Sequence, residues 1–385
     1  MEELIVIYRE LGNTGLRVSE IGLGGEWLAR HTTAEVKAVI DRCEEMGINI
    51  LDCFMSGPKV RSDIGAAIRG KRDKWIIEGH IGSAHRDGQY VRTREMDEVR
   101  AAFDDLLTRL ETDYIDIGMI HFVDRHDDWE RVLQGGVMDY AKELKAKGVI
   151  GHIGLSTHNP DIARLAAEGG DVEVILFSMN PAYDLLPATE EIEDYFVDEY
   201  DASLGGIAPE RAALYRICEA RGVGITVMKC YGGGRLFDEK RSPFGAALTP
   251  AQCIHYCLTT PAVGSVLVGC EEVWQVEAAV AYEETTDEER DYASVLANAP
   301  RHAYSGQCTY CGHCKPCPVN IDIAMVNKYY DLATVQPEVP ASVRDHYDGL
   351  DVHADACIGC QACEERCPFG VRIAERMKMA AELFQ

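Results

Sequence analysis

The sequence predicts an α/β protein of two parts, a barrel of parallel strands over residues 1–296 and a small helix-rich domain over residues 297–385. Two observations predict it. In the first part, eight short apolar runs alternate with segments of helical periodicity, which fits a (β/α)8, or TIM, barrel better than an open sheet. In the second part, eight of the chain's 15 cysteines fall within the last 89 residues. The acidic residues 283–291 and the turn-rich residues 298–300 indicate a connector between the two.

The eight candidate strands are residues 21–23, 48–51, 75–77, 114–120, 149–155, 174–178, 224–228 and 265–268. Helix signals separate them: Thr32 and Glu35 have the spacing of a capping box, Gly47 ends that helix, and Thr249 followed by Pro250 begins another. The alternative is an open doubly wound sheet, but no G-x-G-x-x-G motif follows the first strand.

Composition and charge exclude several classes of function. The formal net charge is −26, whereas binding of nucleic acid or of an anionic membrane surface requires a basic face. No apolar run approaches the ~18 residues of a membrane span, and the first residues lack the form of a signal peptide, so we expect a cytoplasmic protein. Cysteines are kept reduced there, which favours metal ligands over disulfides.

Polar residues follow the predicted strands at the end where barrel enzymes place their chemistry. The residues at these ends are Gly24, Gly25, Glu26, Trp27, Asp52, His80, His121, Ser156, Thr157, His158, Asn180, Lys229 and Gly269. A single Asp or His at such a position is more often structural than functional. Asp52, His80 and His121 come from neighbouring strands, and their convergence indicates a catalytic site.

Five segments carry a family signature over residues 8–296: LGNTGLRVSEIGLG (11–24), GINILD (47–52), YIDIGMIH (114–121), GHIGLS (151–156) and VMKCYGGGRL (227–236). They resemble the aldo/keto reductase family, which implies NADPH-dependent carbonyl reduction by a tetrad of Asp, Tyr, Lys and His. Asp52 and His121 match the tetrad, but Gly57 stands at the tyrosine position and His80 at the lysine position. Because glycine supplies no proton, we expect His80, paired with Asp52, to deliver it. The alternative is a barrel that has lost its chemistry.

The resemblance also implies a cofactor site made of Ser156, Asn180, Lys229, Gly232, Gly233, Gly234 and Arg235. The eighth strand departs from the family, because Glu271 and Glu272 stand where basic or hydroxyl side chains hold the 2′-phosphate, and Ala279 replaces an Asn. Carboxylates there would repel a phosphate, which disfavours NADPH and leaves NADH or another bound group open. The glycine triplet itself is as often a tight turn as a phosphate-binding loop.

One segment is unusually acidic. Residues 181–206 contain eight Asp or Glu and no Lys or Arg, with Tyr183, Tyr195, Phe196 and Tyr200 interleaved. Such a segment is either a solvated helix or a lid over the barrel mouth. A lid of this charge would favour neutral or cationic substrates over acids.

The tail contains two runs of four cysteines, each ending in Cys-Pro. In two-cluster bacterial ferredoxins, three cysteines spaced C-x2-C-x2-C bind one cluster and the fourth binds the other. The pattern assigns one [4Fe-4S] cluster to Cys308, Cys311, Cys314 and Cys367, and a second to Cys357, Cys360, Cys363 and Cys317. The first run is one residue short between its third and fourth cysteines, and structural zinc is the alternative. Residues 321–330 are expected to be helical.

We therefore expect an iron–sulfur oxidoreductase, suited to anaerobic conditions, that acts on a small organic carbonyl or alcohol while two [4Fe-4S] clusters relay electrons. A minority of aldo/keto reductase-like proteins carry such a tail, and the whole chain resembles them. The expected partner is a protein electron donor or acceptor with a basic docking face. The alternatives are a conventional NAD(P)H-dependent reductase with structural clusters, a non-enzymatic electron-transfer subunit and a redox-neutral lyase. The seven other cysteines are more often small buried hydrophobes than reactive thiols, and Cys53 and Cys230, which lie near the predicted site, are the two to test for reactivity.

Overall fold

The structure, a computed structural model, describes residues 6–196, 205–299, 304–334 and 338–385. Within these ranges the strands are β1 (Tyr8–Glu10), β2 (Arg17–Ser19), β3 (Ile21–Gly24), β4 (Ile50–Cys53), β5 (Ile76–Ile81), β6 (Ser83–Arg86), β7 (Gln89–Arg92), β8 (Ile115–Ile120), β9 (Ile150–Thr157), β10 (Val174–Ser178), β11 (Gly224–Met228) and β12 (Val263–Gly269). The helices are α1 (Thr33–Glu45), α2 (Pro58–Ile68), α3 (Met96–Leu110), α4 (His126–Gln134), α5 (Val137–Ala146), α6 (Pro160–Gly169), α7 (Pro209–Arg221), α8 (Pro250–Thr259), α9 (Val273–Val280), α10 (Tyr292–Asn298), α11 (Ile323–Ala333), α12 (Ala341–Asp348), α13 (Ala362–Glu365) and α14 (Ile373–Leu383).

Eight strands close into a barrel in the order β3, β4, β5, β8, β9, β10, β11 and β12, and every neighbouring pair is parallel. The predicted (β/α)8 barrel is confirmed. The second strand begins at Ile50 instead of residue 48, because Asn49 accepts a hydrogen bond from the Ser19 backbone N–H at 2.8 Å and joins the β1–β2 hairpin instead. Leu11 and Val18 of that hairpin pack on apolar side chains of the strands.

The predicted helix signals are confirmed. Thr32 and Glu35 form a reciprocal capping box at the start of α1, and Thr249 and Gln252 form another at the start of α8. Gly47 follows α1 with φ +84°, a left-handed conformation that glycine adopts without a Cβ penalty. Each cap satisfies backbone N–H groups that the first helical turn leaves unpaired.

The C-terminal region is helical and packs on one side of the barrel. The helix expected at residues 321–330 is α11, which lies against α7, where Lys328 pairs with Glu219 at 3.1 Å. The predicted boundary between residues 296 and 297 falls inside α10, and the division of the chain there stays a prediction. None of the described helices combines the length and apolar character needed to cross a membrane.

A buried carboxylate joins the barrel to this region. Asp184, which is fully buried just after β10, accepts hydrogen bonds from Tyr215 at 2.5 Å and from Tyr256 at 2.6 Å, and pairs with Arg211 at 3.3 Å. The Tyr256 hydroxyl is 3.1 Å from that of Tyr304, which donates in turn to the Pro181 carbonyl at 2.6 Å. The network thus ties the loop after β10 to α7, to α8 and to the start of the tail.

Replacing Asp184 with Leu should strongly destabilise the protein. The substitution leaves the buried Arg211 guanidinium without its counter-charge, and breaking such a pair costs about 3–5 kcal/mol of unfolding free energy. Denaturant unfolding of the cluster-loaded protein measures the loss. Glu143→Gln, which removes an exposed charge paired with Lys147, is the control and should leave the midpoint unchanged. Equal midpoints for the two variants would contradict the prediction.

Candidate active site

The three predicted catalytic residues meet in one hydrogen-bonded chain at the carboxyl ends of adjacent strands. Asp52 lies on β4, His80 on β5, and His121 directly follows β8. Asp52 Oδ1 is 2.8 Å from His80 Nε2, and His80 Nδ1 is 2.7 Å from His121 Nδ1. All three are less than 10 % exposed. His80 therefore uses both ring nitrogens and links the carboxylate to the second imidazole.

Burial controls the charge of this chain. Burial, assisted by His80 and Arg94, holds the pKa of His121 well below its usual value, so the ring is neutral near pH 7. Phe54 stacks on His121 with centroids 5.8 Å apart, and Arg94 donates to the His121 carbonyl at 2.8 Å. A neutral imidazole can accept a proton at one nitrogen while it releases one at the other.

A tyrosine that the sequence reasoning missed completes the chain. The Tyr90 hydroxyl lies 2.6 Å from His121 Nε2. Tyr90 belongs to the hairpin formed by β6 and β7, whereas Gly57, at the family's tyrosine position, precedes Pro58 at the start of α2. Asp87 and Gly88 between the strands signal a tight hairpin turn, but no sequence signal shows that the hairpin reaches His121.

A second carboxyl group lies inside the barrel. Glu78, two residues before His80 on β5, accepts a hydrogen bond from Thr226 of β11 at 2.7 Å. Its other oxygen has no hydrogen-bond partner among the described residues. Burial and the nearby charge of Asp52 raise the pKa of Glu78 well above its usual value. Glu78 is thus held protonated, so it adds no second negative charge beside Asp52.

The structure groups the eight tail cysteines into the two predicted sets. One cavity is lined by Cys308, Cys311, Cys314 and Cys367, and a second by Cys317, Cys357, Cys360 and Cys363. Apolar side chains, among them Ile373 in the first and Met377 in the second, form the remaining walls, and the Val371 N–H points at Cys367 Sγ from 3.5 Å. No three His, Cys, Asp or Glu side chains of the described ranges are placed to hold a single metal ion. Four thiols around an apolar cavity are the donor set of a cubane cluster.

Comparison with known proteins decides the family. The family model described as "Aldo/keto reductase family" matches residues 20–250, more than half of the chain. The chain belongs to the aldo/keto reductase family. A second model, "4Fe-4S dicluster domain", matches residues 304–371. The predictions of an oxidoreductase and of an aldo/keto reductase barrel with an iron–sulfur tail are therefore confirmed.

The relatives are distant. Uncharacterized oxidoreductase YqkF of Bacillus subtilis is 25% identical over 279 residues, which cover 70% of this chain and 88% of the relative. L-galactose dehydrogenase of Arabidopsis thaliana is 24% identical over 294 residues, 71% of this chain and 86% of the relative. The holo form of aldo-keto reductase AKR11C1 from Bacillus halodurans superposes with a TM-score of 0.58 at 22% identity, covering 79% of this chain and 99% of that structure, and shows the shared fold.

The predicted cofactor contacts of this aldo/keto reductase line the rim but are largely engaged within the protein. Asn180 donates to the Lys229 carbonyl and accepts from the backbone N–H groups of Ala182 and Tyr183, all at 2.9 Å. Ser156 is buried, and its carbonyl accepts from the Val123 N–H. A nicotinamide role for Asn180 and Ser156 stays a prediction.

The loop after β11 is open. Lys229 Nζ lies 3.3 Å from Glu26 Oε2 across the rim, and its backbone has φ +64°. Gly232, Gly233 and Gly234 also have positive φ, and a Cβ on either of the last two would meet open space. Arg235 lies in this loop near Tyr183. Burial raises the pKa of Tyr183, and the positive charge of Arg235 opposes that rise. The loop leaves room beside Gly233 and Gly234, and its predicted role in holding a cofactor stays a prediction.

The rim beside β12, where the family resemblance predicts the far end of a nucleotide site, is acidic. Glu271 lies 3.3 Å from His31, and Glu272 caps α9 and accepts a hydrogen bond from Trp274 at 2.8 Å. The ring of Trp27 packs so closely on Gly269, at the end of β12, that a Cβ there would lie 2.7 Å from it. Trp27 and two carboxylates therefore occupy the rim beside β12.

The described part of the acidic segment crosses the rim. Tyr195 donates to the His158 carbonyl at 3.0 Å, and Glu190 pairs with His126 at the start of α4. His158 itself pairs with the buried Asp124 at 2.9 Å. Tyr183 and Tyr195 are buried, so this part is not a solvated helix. Residues 198–201, which include Tyr200 and three acidic residues, lie outside the described residues, and the side chain of Phe196 is not described. Its role as a lid stays a prediction.

Cys53 and Cys230 are buried hydrophobic residues, as the sequence favours for free cysteines, and not reactive thiols. Both are buried, and burial raises the pKa of Cys53 to about 12 and that of Cys230 well above the ordinary thiol value. Cys53 follows Asp52 in a strand, and successive strand side chains point to opposite faces. Its sulfur therefore packs under the helices instead of facing the site.

Alkylation should distinguish buried from accessible thiols. At pH 8 the native protein should show no iodoacetamide adduct at Cys53 or Cys230, because only the thiolate reacts and both thiols stay protonated and buried. Peptide mapping by mass spectrometry gives the measurement, and the unfolded protein, in which both residues should label, is the control. Adducts that form on the native protein as fast as on the unfolded one would contradict the prediction.

Proposed function

We propose that this aldo/keto reductase is an iron–sulfur oxidoreductase that interconverts a small organic carbonyl compound and its alcohol at the barrel rim. Two [4Fe-4S] clusters in the tail would supply one-electron transfer. The observation that carries the proposal is the Asp52–His80–His121 chain, because it handles protons at the rim of a barrel whose tail gathers eight cysteines into two sets of four.

The cysteine sets support the predicted ligation. The fourth cysteine of each run lines the cavity made by the first three of the other run, as expected when Cys367 and Cys317 exchange clusters. Four thiolates fill every protein-ligand position of a cubane, which favours electron transfer over Lewis-acid chemistry. We keep the assignment of Cys308, Cys311, Cys314 and Cys367 to one cluster and of the other four to the second.

Proton handling falls to this chain's own side chains. A carbonyl oxygen that gains negative charge needs a proton donor within hydrogen-bond reach. Asp52 stabilises an imidazolium at His80, and His121 carries the proton toward the rim. The names of relatives such as L-galactose dehydrogenase and, at 28% identity over 223 residues, pyridoxal 4-dehydrogenase of Microbacterium luteolum support a carbonyl or alcohol substrate.

The acidic rim supports two further parts of the proposal. Glu271 and Glu272 beside β12 disfavour a 2′-phosphate, so a bound nicotinamide would be NADH, held near Lys229 and the glycine loop. Glu190 and Glu191 near α4 favour neutral or cationic substrates over acids. We place the protein in the cytoplasm, where its buried thiols stay reduced.

Removal of either cluster should abolish electron supply without emptying the barrel site. In Cys308→Ala and Cys357→Ala, bound iron should fall by about half or more, and reduction of benzaldehyde by methyl viologen radical should fall at least tenfold. Anaerobic assays with product detection by chromatography measure the rate. Cys218→Ala, a buried cysteine of α7, is the matched control and should keep its iron and its activity.

The same assay separates the rival functions. If NADH or NADPH alone reduces benzaldehyde equally well in the unsubstituted protein and in both cluster variants, the clusters are structural and the electron-relay role is wrong. Turnover without any electron donor would indicate a lyase. Absence of turnover with any carbonyl, alcohol or donor in a fully iron-loaded protein would indicate an electron-transfer subunit.

We further propose that electrons exchange with a partner protein at the second cysteine set. Cys360 is exposed, and the adjacent Ile358, at 66% exposure, is more exposed than any other large hydrophobic residue of the described ranges. Exposed Asp355 and Glu365 flank this loop. An exposed apolar residue flanked by two carboxylates suits a partner with a basic face. The net charge of −26 also favours a basic partner.

Ile358→Lys should slow electron transfer to a basic protein. With reduced protein and a basic cytochrome c as acceptor, the second-order rate constant should fall at least fivefold, because the new charge repels the partner and the apolar contact is lost. Stopped-flow absorbance measures the rate. Leu133→Lys, at another exposed apolar residue on α4, is the matched control and should change the rate less than twofold. Equal slowing in both variants would contradict this docking surface.

A further inference from the structure

We propose that Tyr90 is the catalytic residue that delivers the proton to the substrate oxygen, at the outer end of the Asp52–His80–His121 chain. This inference rests on the proposed carbonyl chemistry and deepens it. Its basis is the 2.6 Å contact between the Tyr90 hydroxyl and His121 Nε2. The hydroxyl comes from the β6–β7 hairpin, whereas Gly57 precedes α2, so a different element supplies the proton donor.

The hairpin that carries Tyr90 is anchored on both sides of the site. Ser83 on β6 donates to the Phe54 carbonyl at 2.5 Å, next to β4, and Arg92 on β7 donates to the Phe122 carbonyl at 3.0 Å, just after His121. The Tyr90 ring meets His121 edge-on, with centroids 5.6 Å apart. These contacts fix the hydroxyl against the imidazole without a bond to any other side chain in the described part of the chain.

Tyr90 is placed to touch both the histidine chain and a substrate. Its side chain is 45% exposed, whereas Asp52, His80 and His121 are all buried. A substrate at the rim therefore meets Tyr90 before it meets either histidine. The hydroxyl lies against His121 Nε2, at the outer end of the hydrogen-bonded residues. A substrate carbonyl oxygen therefore contacts them through the phenol O–H of Tyr90.

The proton step balances as three transfers, from Tyr90 to the substrate, from His121 to Tyr90 and from His80 to His121, while the His80–Asp52 hydrogen bond stays in place. At the start His80 is an imidazolium that donates to Asp52 and to His121 Nδ1, while neutral His121 donates Nε2–H to Tyr90. When charge develops on the substrate oxygen, the Tyr90 O–H bond breaks as the substrate O–H bond forms. Tyr90 regains a proton from His121 Nε2, and His121 Nδ1 takes one from His80. Imidazolium and alkoxide become imidazole and alcohol, and no electron moves in this step.

The surrounding charges suit a phenol that donates. Partial burial raises the pKa of Tyr90, so the phenol is protonated near pH 7. Arg92 and Arg94, both close enough to oppose that rise, stabilise negative charge on the oxygen during transfer. Arg94 is itself held by Asp128 at 2.7 Å.

The test uses three variants in the benzaldehyde assay with the methyl viologen donor. Tyr90→Phe keeps the ring and removes the hydroxyl, so kcat should fall by about 10²-fold or more with KM changed less than about threefold. His80→Gln, at the inner end of the chain, should lower kcat comparably. Tyr8→Phe is the matched control, because Tyr8 is 38% exposed and its hydroxyl bonds no group of the described residues except the Gly47 carbonyl, and it should leave kcat unchanged.

A second measurement distinguishes proton donation from packing. Site-specific 3-fluorotyrosine at position 90 retains the hydroxyl but acidifies it, so kcat on the pH-independent plateau should rise by about twofold or more, because proton transfer follows the acidity of the donor. The same replacement at position 8 should leave kcat unchanged. An unchanged plateau, or a Tyr90→Phe enzyme with kcat within twofold of the original, would overturn this inference while carbonyl reduction itself persists. Loss of the proposed function looks different, because then the unsubstituted protein reduces no carbonyl compound.

Discussion

The parallel register of a closed barrel is the constraint on which the site depends. Because β4, β5 and β8 are neighbours and parallel, their carboxyl ends share one rim, and Asp52 stands directly beside Glu78 in the strand register. Inward-facing side chains then meet although 28 and 41 residues of sequence separate them, and the Asp52–His80–His121 contacts measure 2.8 and 2.7 Å. The strands fix these positions, so the three hydrogen-bonded side chains need no reorganisation when charge develops on a substrate.

The features that were predictable from sequence are those that local chemistry controls. Alternating apolar runs and two capping boxes follow from strand and helix periodicity, and the cysteine sets follow from the geometry of a cubane. Tyr90 was out of reach, because the direction of a hairpin depends on tertiary contacts such as that between Arg92 and the Phe122 carbonyl. Cys53 adjoins Asp52 in sequence but does not face the site, since adjacent residues of a strand face opposite sides of the barrel wall.

The environment of the two buried carboxyl groups limits the negative charge inside the barrel of this acidic protein. Two buried carboxyl groups, Asp52 and Glu78, lie inside one barrel, and both could not be charged without a large cost. Thr226 donates a hydrogen bond to Glu78, burial raises the pKa of Glu78 well above its usual value, and His80 hydrogen-bonds Asp52. The acidic surplus outside is a separate matter of solubility and partner choice.

The barrel also separates the Asp52–His80–His121 hydrogen bonds from the iron–sulfur domain. In the ring of strands β5 stands opposite β11, and the hydrogen bond from Thr226 to Glu78 spans the interior between them. His80, His121 and the Tyr90 hairpin belong to the β5 and β8 side. The tail packs on α7 and α8, the helices that lead into β11 and β12, and the Asp184 network fastens it there. A substrate at the rim would therefore lie between a proton source on one wall and the iron–sulfur domain behind the other, so that neither function has to share side chains with its counterpart.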